Sequence, residues 1–173
     1  MVRNSLVRNN IFAFATRHGT SFWQETANPN LGSHSNVVVH NLFIGNNTRE
    51  LVQFIAMSDR NDVRNNVFVG TMATTTLVNV DGTTDSNTYE HNMYIGGRLM
   101  GRTPEADEHT GTFAAAYWAA WPESATGPGA VTDYVPTASA PFLNLGMLLA
   151  IAPFDRGGST RVAPVDLGPF EAP

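Results

Sequence analysis

The side chains able to move protons gather near one point in the chain. Arg17 and His18 sit on a turn that enters a β-prone run, Glu25 lies at the end of that run, and His34 follows on a long loop. One carboxylate with one histidine or arginine can take a proton from the carbon next to an acid group, while a second arginine neutralises that acid. Glu25 with a loop acid such as Asp59 would instead supply the two carboxyls that glycoside hydrolysis needs. Beside them stand Gln24, Gln53 and Asn79, one in each of three β-prone runs. Stacked strands would space these amides by roughly 4.8 Å. They form either a track for the hydroxyls of an extended sugar chain or a plain solvated ladder. Asp59 with Asp62, and Asp81 with Asp85, are oxygen donors in neighbouring turns, a pattern that suits Ca²⁺ or ordinary turn chemistry. No cofactor is required by this pattern, and Ca²⁺ is the one ion it admits.

Composition removes several other chemistries. The chain has 173 residues, a net charge of −5 and no cysteine, so thiolate catalysis, cysteine zinc sites and disulfides are absent. All ten of its cationic Lys/Arg positions are Arg. Lysine chemistry is therefore excluded, and the cationic stripe that nucleic acid requires is missing. The longest apolar stretch, residues 142–154, is broken by Asn144, Gly146 and Pro153, so no membrane span is expected. His40 and His91 share a repeat position two rungs apart, near 10 Å by strand spacing, which is too far for one zinc ion. They read as corner residues interchangeable with Asn.

What positions these groups is a repeat. Val7-Arg8-Asn9-Asn10-Ile11-Phe12, Val38-Val39-His40-Asn41-Leu42-Phe43, Val63-Arg64-Asn65-Asn66-Val67-Phe68 and Tyr89-Glu90-His91-Asn92-Met93-Tyr94 share one pattern. The central Asn recurs at 10, 41, 66 and 92, and five residues earlier a small polar residue recurs as Ser5, Asn36, Asn61 and Asn87. Intervals of 31, 25 and 26 residues are too short for a helix pair and suit three short strands wound into one coil. Asn bonds locally and accepts left-handed backbone, so stacked Asn would satisfy the corners. Each coil then has a further run, Phe22-Trp23-Gln24-Glu25, Leu51-Val52-Gln53-Phe54-Ile55 or Leu77-Val78-Asn79-Val80. Alternation puts Trp23, Val52 and Val78 inward and Gln24, Gln53 and Asn79 outward.

These residues resemble the right-handed parallel β-helix proteins of the pectate-lyase-like group. The Asn-apolar-aromatic repeat is similar to their coil signature. The stretch Asp133-Tyr134-Val135-Pro136 through Asn144-Leu145-Gly146 resembles the segment that closes such domains, as does Asp166-Leu167-Gly168-Pro169-Phe170-Glu171. The resemblance implies an all-β right-handed parallel β-helix solenoid and an extracellular or cell-surface setting. It also implies binding of acidic polysaccharide, with lyase action on uronic-acid polymers as one outcome and hydrolysis or a purely structural, adhesive role as others. Related lyases use Lys or Arg as base and Ca²⁺ as electrophile; without Lys the base falls to Arg, His or Tyr.

Coils are expected over residues 1–111, with inserted loops at 26–35 and 97–111. A short helix over 113–121, stopped by Pro122, and an irregular cap over the last rung should complete the same domain to residue 173. Tyr117, Trp118 and Trp121 read as core rather than as a sugar-stacking platform. The repeat starts inside a coil with no covering helix, as in the C-terminal part of a longer protein. An open coil end exposes unpaired backbone and apolar surface, which predicts a homodimer joined near residues 1–24.

Overall fold

Three short strands make each turn of the chain, because each repeat carries three apolar runs separated by corner residues. The computed structural model describes residues 2–15, 17–23, 32–45, 49–81, 86–121 and 130–172. The first coil holds β1 (Leu6–Arg8), β2 (Ile11–Ala13) and β3 (Thr20–Phe22); the second holds β4 (Val37–Val39), β5 (Leu42–Gly45) and β6 (Glu50–Phe54). The third holds β7 (Asp62–Arg64), β8 (Val67–Gly70) and β9 (Thr76–Val80), and the fourth β10 (Thr88–Glu90), β11 (Met93–Ile95) and β12 (Arg98–Met100). β13 (His109–Gly111) opens a fifth turn. Each strand pairs in parallel with its counterpart one coil away, giving a first sheet β1-β4-β7-β10, a second β2-β5-β8-β11-β13 and a third β3-β6-β9-β12. The protein is an all-β parallel solenoid.

The repeat columns are the strand register. Phe12, Phe43, Phe68 and Tyr94 are partners in the second sheet, and their rings stack inside the coil at centroid distances of 4.7, 5.1 and 5.3 Å. Like side chains stack because parallel in-register strands put the same position of each coil one strand spacing apart. At one corner Asn41 Oδ1 accepts from Asn10 Nδ2 at 3.1 Å and Asn10 N at 3.0 Å, and Asn66 and Asn92 repeat the arrangement. Ser5, Asn36, Asn61 and Asn87 form a second ladder of the same kind. The residues that turn left-handed stand one place earlier: Asn9, His40, Asn65 and His91 have φ of 55, 53, 55 and 50°. His40 and His91 thus occupy the corner role that their column gave them.

The first ladder ends on a carboxylate. Glu108, its side chain fully buried, accepts Asn92 Nδ2 at 2.9 Å, Tyr94 OH at 2.5 Å and Glu105 N at 2.9 Å. Arg102 neutralises it and lies 3.9 Å over the Tyr89 ring. Residues 97–111 are accordingly not a simple inserted loop; they contribute β12 and β13 and close the ladder between them.

The final third departs from expectation in two ways. The Ala-rich run forms one 3₁₀ turn, Ala115–Tyr117, whose preceding residue Ala114 offers no side-chain cap, and Trp118 leaves it in extended backbone with φ −121°. A few residues cannot sustain a helix alone, and burial of Trp118 against Phe142 fixes the extended path instead. The tail also covers a flank rather than the last rung. Leu42, Ile44, Val67, Val69, Met93 and Ile95 point out of the second sheet and pack against Trp118, Tyr134, Phe142, Leu167 and Phe170. A sheet apolar on both faces must be covered on both. The left-handed column anchors this cover. Asn9 Nδ2 donates to Phe154 O at 2.7 Å, Asn65 Nδ2 to Met147 O at 2.6 Å, His40 Nδ1 to Gly168 O at 3.3 Å and His91 Nδ1 to Leu145 O at 3.2 Å.

Candidate functional site

The third sheet keeps a polar outer face. Its inner positions, Phe22, Val52, Phe54, Val78 and Val80, fill the coil. Outward it carries two columns. Ser21, Gln53, Asn79 and Met100 are successive register partners, as are Glu50, Thr76 and Arg98. A bond from Gly19 N to Leu51 O, 2.8 Å, extends the pairing backward from β3. It thereby sets His18 beside Glu50.

At the first two rungs this face is hollowed into a groove of about 360 Å³ lined by Arg17, His18, Ser21, Trp23 and Gln53. His18 Nδ1 lies 3.4 Å from Glu50 Oε2, close enough for an ion pair. The contact lacks hydrogen-bond alignment, and Nδ1 is buried with no hydrogen-bond partner. Asn79 Nδ2 donates to Glu50 Oε1 at 3.2 Å, and Gln53 Nε2 donates to Ser21 Oγ. Trp23 is 48% exposed at the edge of the groove, its carbonyl held by Ser33 Oγ at 3.0 Å. An indole face, a guanidinium, an imidazole backed by a carboxylate, and amide and hydroxyl groups therefore share one shallow site. Such a set can stack on a sugar ring, pair with an acid group and exchange a proton.

The structure brings Arg17, His18 and Gln53 together and puts Asn79 one rung further on. Gln24 and Glu25 lie outside the described residues. Trp23 was expected to point inward; Thr20, not Trp23, pairs with Val52, so Ser21 holds the ladder position given to Gln24. The shift arises because β3 ends at Phe22, whose ring stacks on Phe54 at 4.7 Å inside the coil. His34 does not line the groove. It bridges in parallel to Arg3, and its Nδ1 meets Ser35 Oγ at 3.0 Å.

The candidate calcium ligands are scattered among other partners. Asp59 pairs with Arg60 at 3.3 Å, Asp62 pairs with Arg64, and Asp81 Oδ2 accepts Ala56 N at 2.7 Å in a turn where Ala56 and Met57 have φ of 54 and 62°. Asp85 lies outside the described residues. Among the described residues no group of three or more His, Asp or Glu side chains is placed to hold a metal ion. Among them, too, no helix is long and apolar enough to cross a membrane.

Glu50 was not singled out from the sequence. Its signal is positional: Glu50 stands three residues before Gln53 as His18 stands three before Ser21. That symmetry appears only once the register of β3 is known. No family model matches the chain, and no curated protein matches it.

Proposed function

We propose that this chain is a polysaccharide-binding solenoid of an extracellular or cell-surface protein, and that it takes an acidic polysaccharide in the groove of the third sheet. The observation that carries the reading is the convergence of Trp23, Arg17, His18 and Gln53 on one 360 Å³ groove. Trp23 stacks on a sugar ring, Arg17 pairs with a uronate carboxylate, and Gln53 and Ser21 meet hydroxyls. The likeness of the coil repeat to the pectate-lyase-like group supports the same ligand class.

The groove also has the groups for elimination. His18, its imidazole set by Glu50, takes the proton α to the uronate carboxylate. The electron pair moves into the enolate that Arg17 stabilises, then forms the new C=C bond and breaks the bond from the β carbon to the glycosidic oxygen, which leaves with the proton returned by His18. The products are a new reducing end and an unsaturated uronate. No metal is needed for these steps, and calcium is an arm of the test. A non-catalytic binding role is favoured by a different observation: Gln53 with Ser21, Asn79 with Glu50 and Arg98 with Thr76 are bonded to one another.

Both parts are read in one experiment. Acidic and neutral polysaccharides are titrated against the protein and Trp23→Ala, and ultraviolet absorbance of the unsaturated product is followed with and without Ca²⁺ for His18→Ala and Glu50→Gln. Selective binding of acidic chains, weakened about tenfold or more in Trp23→Ala as an anchoring aromatic requires, supports the groove. Absorbance that rises and is lost in His18→Ala establishes elimination; binding without absorbance leaves the adhesive role. Equal affinity for neutral chains, or no effect of Trp23→Ala, overturns the groove.

A further inference from the structure

The polar face continues beyond the groove. The column of His18 and Glu50 runs through Thr76 to Arg98, at the fourth rung. Arg98 is exposed, and its Nε lies 3.5 Å from Thr76 Oγ1, which lays the side chain along the sheet toward the groove. Arg60, Arg64, Arg102 and Arg161 are held in ion pairs with carboxylates. Arg98 has no part in them. Between Arg17 at one end and Arg98 at the other stand the hydroxyl of Thr76, the amides of Gln53 and Asn79, and Glu50, which His18 and Asn79 already engage. Three rungs separate the two ends, about 14 Å at the spacing of parallel strands.

We infer that Arg98 is a second anion subsite, so that the ligand is an extended polyanionic glycan laid along the solenoid axis across four coils. This rests on the groove reading above and adds direction and length to it. A chain running along the strands instead would leave the sheet within three to five residues, since β3 and β12 have three residues each and β6 and β9 five. Only the axial path meets both guanidinium groups. Carboxylates of the glycan pair at its two ends, and its hydroxyls face Gln53, Asn79 and Thr76 on the middle rungs, where Glu50 is engaged by His18 and Asn79.

The test is calorimetric titration of uronic-acid oligomers of increasing length against the protein, Arg98→Gln and Trp23→Ala. Arg98 is exposed, so Arg98→Gln keeps the fold, checked by an unchanged melting temperature. In the unaltered protein affinity should step up once an oligomer is long enough to span the two arginines. Arg98→Gln should remove that step, about a two- to fivefold loss for an exposed ion pair, and leave shorter oligomers unchanged. Trp23→Ala should weaken every length. Loss at all lengths in Arg98→Gln, or no loss at any, overturns the axial subsite while the groove stands if Trp23→Ala still weakens binding. No effect of either variant overturns both.

Discussion

His40 stands in a column otherwise filled by Asn9, Asn65 and His91, and it is fully buried. Its Nδ1 faces Gly168 O at 3.3 Å and its Nε2 faces Asn65 Nδ2 at 3.0 Å, so the neutral ring donates at one nitrogen and accepts at the other. Burial lowers its pKa to about 3, and the positive charge of Arg161 works in the same direction. Arg161 itself pairs with Glu171, with Asp155 and Asp166 close by. The unfolded chain binds a proton below about pH 6.5, whereas the folded chain resists it until about pH 3. Stability is therefore fully present above pH 6.5 and is lost as pH falls between these values, by about 3 kcal/mol at pH 4. His40→Asn keeps a residue that tolerates φ of 53° and removes the titration. Denaturant unfolding from pH 7 to pH 4 should show a steep acid decline in the parent and a shallow one in the variant. Parallel declines would assign the acid sensitivity elsewhere. At this scale the sequence was legible: a histidine sharing a column with asparagines announced a corner residue, and the local backbone rule holds whatever packs outside it.

Elements are where legibility divides. The Asn columns could be read because a ladder needs the same residue at the same place in every coil, and an Asn inside the ladder serves three rungs. Asn66 Oδ1 accepts Asn41 N and Nδ2 at 2.9 and 3.0 Å, while its Nδ2 donates to Asn92 Oδ1, Val38 O and Arg64 O at 3.1, 2.8 and 2.9 Å. Asn66→Ala leaves several of these buried groups unpaired and should cost about 3 kcal/mol or more, at 1–3 kcal/mol for each unsatisfied group. Asn10→Ala, at the less buried start of the same ladder, should cost about 1 kcal/mol. Urea melts that give equal losses would mean the ladder does not act as a buried unit. The third sheet was less legible. Its first strand is three residues long and lacks an Asn to fix its phase, so Phe22-Trp23 offered two alternations, and only the stacking of Phe22 on Phe54 decides between them. That choice moves Trp23 from core to groove and makes Glu50 the neighbour of His18. The path of the tail had a signal that alternation hides. Leu42-Phe43-Ile44, Val67-Phe68-Val69 and Met93-Tyr94-Ile95 are apolar at consecutive positions, which marks a strand buried on both faces and calls for a lateral cover.

For the whole molecule, the two ends of the coil stack differ in kind. At one end Glu108 receives the last amide of the ladder and Arg102 closes over Tyr89. At the other, β1, β2 and β3 are the edge strands of their sheets, Val2 and Leu6 are 42 and 43% exposed, and Phe12 stacks on Phe43 from one side. Parallel edges of this sort pair readily with other chains unless something blunts them. No charged residue lies within β2 or β3 to discourage pairing, and Arg8 in β1 is drawn to Ile151 O of the tail. A second copy turned about a two-fold axis offers the same three strands and the same apolar rim, so the two first coils cover each other, while β10, β13 and β12 remain the edges at the far end. For the 173-residue polypeptide taken by itself the expected outcome is a homodimer joined through the first coil, measured by light scattering across a concentration series. Leu6→Glu places a charge on that rim and, because Leu6 is exposed, should leave the fold intact while shifting the population to monomer. A parent protein that stays monomeric at the highest concentration, or a Leu6→Glu variant that dimerises as the parent does, would remove the first coil as the joint.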